Sequence, residues 1–271
     1  MRYVFTAFNR RNFVLSCRPI KYMLSKNQAK IVKSLRQKKF RLEYGLFIAE
    51  GDKVVDELLT SNWPLKMLFT TRSEDALRLP MAQLISERDM EQISSMSTAP
   101  GLLAVAELPQ WYIHPEKHLP TEAKWVIALD GIRDPGNLGT LLRTAAWFGV
   151  PAVVASPDTA DCFNPKVIQA AMGSLFRLPV HYVELDVFAR QSKLPVFGLD
   201  LAGDNLYNGS FGNGIYIVGN ESHGLRQEAR NLCQSYVNIP GERGAESLNA
   251  AVSASILMAE LYRRQLKSPG L

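Results

Sequence analysis

At 271 residues the chain is long for one domain and comfortable for two. Hydrophobic residues make up 46% and charged residues 21%, which gives an ample core and excludes a disordered chain. No apolar run approaches the roughly 20 residues of a membrane-spanning helix. Three widely spaced cysteines, Cys17, Cys162 and Cys233, offer neither a disulfide frame nor a zinc pattern and point to a reducing, cytoplasmic setting. His114 and His118 stand four apart, but Pro115 intervenes and nothing completes a ligand set, so no metal is expected. The net charge of +5 is uneven: residues 1–50 hold twelve Lys/Arg against Glu43 and Glu50, and the rest carry 19 basic and 24 acidic residues. A basic end of this kind fits a polyanion, nucleic acid above all, although a solvated helix face gives the same charge.

Residues 1–22 contain five basic residues, several aromatics and no acid, without an amphipathic period. They read as a poorly ordered extension whose removal leaves the fold intact. Folded sequence begins at Ser25-Lys26-Asn27-Gln28, a capping-box pattern. Ile31 and Leu35, flanked by Lys26, Lys30, Lys33, Lys38 and Lys39, predict one helix with an apolar and a basic side. Strands are predicted at 45–49, 65–70, 82–85 and 102–108, with helices at 52–59 and from Ser86 to Met96. That alternation makes residues 23–108 a small α/β domain. Residues 109–122, rich in proline and mixed charge, read as a linker.

From 123 to 271 the alternation resumes, with strands predicted at 125–129, 152–155, 180–184, 196–201, 215–218 and 237–239. Helices fall between them, and Ser247 is read as the cap of a long closing helix. Apolar strands each followed by a helix argue for a mostly parallel sheet covered on both faces.

Three stretches could carry chemistry. In DGIRDPGNLGTLLRTAAWFGV (130–150), Asn137 is read as an N-cap, and Arg143 is the one cation in an otherwise apolar helix. It either snorkels to water or is held for a partner. In GNESHGL (219–225), two glycines bracket Glu221 at a strand's C-terminal edge, where backbone approaches a ligand closely. After Ile239-Pro240 a polar loop leads to Ser247-Leu248-Asn249 at a helix start, where free N–H groups are presented. Singly, each is equally compatible with ordinary turn and capping chemistry. The Gly-x-Gly-x-x-Gly dinucleotide fingerprint is absent after the first strand.

Together, DPGNLGTLLRTAAWFGV, IVGNESHGL and IP followed by SLNAAVSASI resemble the SpoU (TrmH-like) RNA 2′-O-ribose methyltransferases of the SPOUT superfamily. NPKVIQAAMGSLFRLPV resembles the family's middle region, and residues 26–108 resemble a ribosomal-protein-like RNA-binding domain. The resemblance implies a C-terminal α/β trefoil-knot methyltransferase domain, a homodimer and S-adenosylmethionine as cofactor. By position, Gly219, Ile239 and Leu248 would cradle the adenosine, and Asn137, Arg143, Glu221, Ser247 and Asn249 would form the catalytic set. Arg243 stands where the family usually has glycine, which puts the local loop path in doubt. The substrate implied is structured RNA, rRNA before tRNA because of the added basic domain; a knotted RNA-binding protein without activity is the alternative. A guanidinium almost never gives up its proton, so Arg143 is expected to orient the hydroxyl and stabilise alkoxide charge rather than act as a base.

Overall fold

The computed structural model describes residues 23–220, 222–242 and 247–267. The readings of 1–22 as an extension, of Glu221 as a site residue and of the loop at Arg243 lie outside those residues. No helix among the described residues is long and apolar enough to cross a membrane.

The capping box forms: the Ser25 hydroxyl accepts from Gln28 N and the Gln28 side chain accepts the Ser25 N–H, opening α1 (Lys26–Ser34). The basic segment is not one helix, however. Gln37 is extended at φ −99°, ψ 133°, and the chain restarts as α2 (Lys38–Tyr44). Lys26, Lys30 and Lys33 sit on α1 and Lys38 and Lys39 open α2, all exposed. The break has a physical reason: α2 turns Arg41 inward, where it is only 2% exposed and pairs with Asp161.

β1 (Leu46–Glu50), α3 (Asp52–Thr60), β2 (Leu65–Thr70), α4 (Ser73–Arg78), β3 (Ala82–Leu84), α5 (Glu87–Ile93) and β4 (Leu102–Glu107) complete the first unit. Its sheet has the order β1-β4-β2-β3, with β4 antiparallel to both neighbours and β2 parallel to β3. The segment read as a linker is structured. It carries α6 (Gln110–Ile113) and a 3₁₀ turn at Pro115–Lys117, with Tyr112 buried. Tyr112 donates to Asp161 Oδ1 at 2.8 Å, an aromatic anchor that proline-rich composition did not advertise.

The second unit runs β5 (Trp125–Asp130), α7 (Pro135–Trp147), β6 (Val153–Ala155), α8 (Pro165–Ala171), β7 (Val180–Tyr182), α9 (Leu185–Ser192), β8 (Val196–Asn205), β9 (Gly214–Gly219), α10 (Gln227–Arg230), β10 (Ser235–Asn238) and α11 (Ala250–Lys267). Its six strands are parallel throughout, in the order β10-β8-β9-β5-β6-β7. β5 is buried along its length because both faces are covered. Trp125, Ile127 and Leu129 pack toward Leu141, Leu142 and Leu257, while Val126 and Ala128 pack toward Phe188 and Leu225. Such strands read as continuous apolar runs.

The two units share one core. Phe47 and Phe163 rings lie 4.7 Å apart, Trp63 and Phe176 5.4 Å apart, and Arg177 pairs with Glu57 at 2.6 Å. The Arg41–Asp161 pair is buried in this seam, and Asp161 also accepts from Phe163 N at 2.9 Å.

Candidate active site

Loops after β5, β8, β9 and β10 all emerge at the carboxyl edge of the parallel sheet, where open α/β sheets hold their ligands. α7 begins one turn earlier than the sequence suggests. Asp134, not Asn137, is its N-cap: the Asp134 carboxylate accepts from Asn137 N at 2.8 Å, and Pro135 occupies the first turn. Proline suits that position because its φ is already helical and its missing N–H would have no partner. The Asn137 side chain is thereby released from capping, and its Oδ1 accepts from Asn249 Nδ2 at 3.0 Å.

The closing helix is corrected in the same way. Asn249 Oδ1 accepts from Ala251 N at 2.9 Å and Val252 N at 3.3 Å, so Asn249 caps α11 and Ser247 does not. One amide thus performs two tasks: its oxygen ends a helix and its nitrogen ties that helix to α7. Ser247 instead lines a cavity of roughly 440 Å³ together with Gly219, Ile239 and Leu248.

That cavity brings together every residue read as a cofactor contact. Val218, Leu199, Ile239 and Leu248 give it an apolar wall, and Ser222, Asn238 and Ser253 add polar groups. Its size and mixed lining suit a drug-sized ligand with a flat apolar part and a few polar ends. Gly219 is required: a Cβ there would collide with the Gly224 carbonyl group. Asn220 and Gly224 close a tight loop through Asn220 N to Gly224 O at 3.0 Å and Gly224 N to Asn220 O at 2.8 Å, and Glu221 falls within that span of sequence.

The β8 wall was missed by pattern reading. β8 continues beyond residue 201 to Asn205, and its pairing with β10 jumps from Gly198 opposite Tyr236 to Asp204 opposite Val237. The residues between bulge out, and Leu199, Asp200 and Leu201 line the cavity. Asp200 pairs with Arg230 of α10 at 2.5 Å. Burial works to raise the Asp200 pKa, but the Ala202 amide and the Arg230 guanidinium hold it below the ordinary carboxylate value. Gly203 was the available signal, since a side chain there would strike the backbone at Tyr236 and Val237. Cys233, beside this wall, is pushed up to about 11 by burial, so its thiol stays protonated at neutral pH.

Arg143 is exposed on α7, six residues beyond Asn137 and so about 9 Å along the axis. It makes no ion pair with the described residues and does not line the cavity. Neighbouring Thr144 accepts from the Ser255 hydroxyl at 3.3 Å, which fixes α11 beside α7. Lys26, Lys30, Lys33, Lys38 and Lys39 stand apart from the cavity; Lys38 Nζ lies 5.3 Å from the ring centre of Tyr182, in the second unit.

The profile of the SpoU rRNA methylase family matches residues 124–259, and that of the MRM3-like substrate binding domain matches residues 26–104. The Bacillus subtilis 23S rRNA (guanosine(2553)-2′-O)-methyltransferase RlmP is 33% identical over 252 residues, which cover 88% of this chain and 97% of that protein. Mouse mitochondrial rRNA methyltransferase 3 is 26% identical, over 86% of this chain and 71% of its own. Among solved structures, a TrmH-family protein from Porphyromonas gingivalis superposes with a TM-score of 0.78 at 35% identity, covering 89% of this chain and 99% of that one. The AdoMet-bound rRNA methyltransferase from Sinorhizobium meliloti gives a TM-score of 0.78 at 29% identity, over 92% and 98%.

Proposed function

The chain belongs to the SpoU family of RNA methylases, and from that premise we propose that it transfers a methyl group to a ribose 2′-hydroxyl of rRNA. The observation that carries this reading is the convergence of three separated stretches. Gly219, Ile239 and Leu248 border one cavity, and Asn137 bonds Asn249 beside its Ser247-Leu248 wall. When bound, S-adenosylmethionine supplies an electrophilic methyl on a sulfonium, leaving a neutral thioether after transfer.

The chain's own residues supply the rest. The apolar wall of Leu199, Val218, Ile239 and Leu248 would hold the adenosine, with Gly219 leaving room for it. A ribose hydroxyl is a poor nucleophile and must be held in line with the methyl carbon. Arg143 reaches out from α7 with its guanidinium unpaired among the described residues; it would orient that hydroxyl and stabilise charge developing on its oxygen. The Asn137–Asn249 bond keeps α7 and α11 in register, and Ser247 lines the edge of the site. The hydroxyl proton passes to an acceptor other than the guanidinium, which stays charged.

The exposed lysines of α1 and α2 would hold RNA phosphates, and the relatives' names favour rRNA over tRNA. A homodimer is part of this reading. Trp147 is 83% exposed, and Tyr262, its ring tilted against Phe148 at 5.7 Å, and Val252 expose apolar surface on the adjacent helix. So is the threading of the C-terminal chain into a trefoil knot, and so is action in the cytoplasm. Incubation of the protein with labelled S-adenosylmethionine and rRNA, followed by mapping of 2′-O-methyl positions, tests the function: label at one ribose supports it, and label on bases or none at all rejects it.

A further inference from the structure

Asp130 ends β5 only 1% exposed, and its carboxylate is spent entirely on Arg226. Oδ2 accepts from Arg226 N at 2.8 Å and Oδ1 from Arg226 Nε at 2.6 Å. One residue on, Gly131 O accepts from Asn220 Nδ2 at 2.9 Å. Asn220 and Arg226 are therefore fastened to residues 131 and 130, one at each end of the loop after β9. Arg226 also reaches Asp158 at 3.3 Å; Asp158 accepts from the Ser156 hydroxyl at 2.8 Å, and that hydroxyl accepts from Gly131 N at 2.9 Å. Loops after β5, β6 and β9 thus share one network. A buried carboxylate is costly unless fully paired, and a fully satisfied polar network specifies one arrangement of the groups it joins.

We propose that Asp130 is a positioning residue for methyl transfer: through Arg226 it sets where the loop that borders the cavity with Asn220, Ser222 and Gly224 stands relative to α7, which carries Asn137 and Arg143. The proposal rests on the function stated above. Without the Asp130 charge, Arg226 keeps only the partly exposed Asp158, and the loop gains freedom to drift. A misplacement of about 1 Å at a reacting centre costs on the order of a hundredfold in rate.

The test compares full-length wild type with Asp130→Asn, and with Arg226→Lys, whose ammonium cannot fork between two carboxylates. The expected result for both is a single-turnover rate lower by about ten- to hundredfold with the RNA KM unchanged. Asp130→Glu, which restores the charge, should recover part of the rate. Hydrogen exchange of the 222–226 amides should speed up in both variants without RNA present. A rate within about threefold of wild type in a variant with a lowered Tm makes the network a structural staple only and overturns the proposal. If wild type itself moves no methyl to RNA, the function is wrong, and the clamp is judged by exchange alone: unchanged protection at 222–226 overturns it as well. Should Asp130→Asn fail to fold, Arg226→Lys decides by the same measurements.

Discussion

Removing Asp161 tests how the two units are joined. In Asp161→Ala the Arg41 guanidinium would stay 2% exposed, with Nη1 donating to Leu35 O at 2.7 Å and Arg36 O at 3.0 Å and no anion near it. Its Nε has no partner even in the intact protein. Tyr112 and Phe163 N would lose their shared acceptor too. Breaking a buried pair by deleting one member costs about 3–5 kcal/mol, a fifth or more of the stability of a typical domain, about 5–15 kcal/mol. At about 2–4 °C per kcal/mol, the melting point should fall by on the order of 10 °C. Arg41→Met combined with Asp161→Asn should recover most of this, because it removes the charge yet keeps an acceptor for Tyr112 and Phe163. Urea unfolding followed by circular dichroism on wild type, Asp161→Ala, Arg41→Met, Asp161→Asn and the double variant supplies the cycle. An Asp161→Ala protein within about 1 kcal/mol of wild type, or a double variant no better than the single, refutes the reasoning.

Three other outcomes are expected. Gly219→Ala should abolish measurable S-adenosylmethionine binding by calorimetry while the melting temperature changes less than in Asp161→Ala, because the new Cβ meets the Gly224 carbonyl at the cavity's rim; normal affinity would remove Gly219 from the pocket. His181 is held to a pKa of about 4, first by burial and then by His118, and its Nδ1 has no partner. The unfolded chain takes up the proton first, so stability present above about pH 6.5 is lost as the pH falls toward 4, by about 3 kcal/mol in total. His181→Phe should flatten that part of the stability profile, and an unchanged acid dependence would refute it. Replacing Lys26, Lys30, Lys33, Lys38 and Lys39 with Gln should lower the salt dependence of RNA binding by about 0.7–0.9 per lost phosphate contact; an unaltered slope would make these lysines a solvated face.

What pattern reading recovered, and what it missed, follows from locality. The parallel strands were legible because a strand buried on both faces, such as Trp125–Asp130, is apolar without interruption. The capping box at Ser25 and the Ser86 cap lie within four residues of their partners, and both form. The break at Gln37 was hidden because lysines continue across it; what breaks the helix is Arg41, answering to Asp161 some 120 residues away. Asn137 and Ser247 were misread as caps because Asp134 and Asn249 are equally good capping types, and only geometry selects between them. Gly219, Ile239 and Leu248 were found through the resemblance, and the cavity unites them. Asp130–Arg226 and Asp200–Arg230 had no local signature, since each pair forms across a fold that the residues themselves do not announce.

In the proposed reaction α7 presents the Arg143 guanidinium to a ribose hydroxyl held beside the cavity. Single-turnover methyl transfer to rRNA by Arg143→Ala, with S-adenosylmethionine affinity and melting temperature measured alongside, tests it most directly. The predicted result is a rate lower by about 10²–10³-fold with cofactor affinity and melting temperature kept, because Arg143 is exposed and outside the cavity lining. Arg143→Lys should restore only part of the rate, because an ammonium lacks the planar fork. A folded, cofactor-binding Arg143→Ala protein that turns over at close to the wild-type rate would contradict the claim.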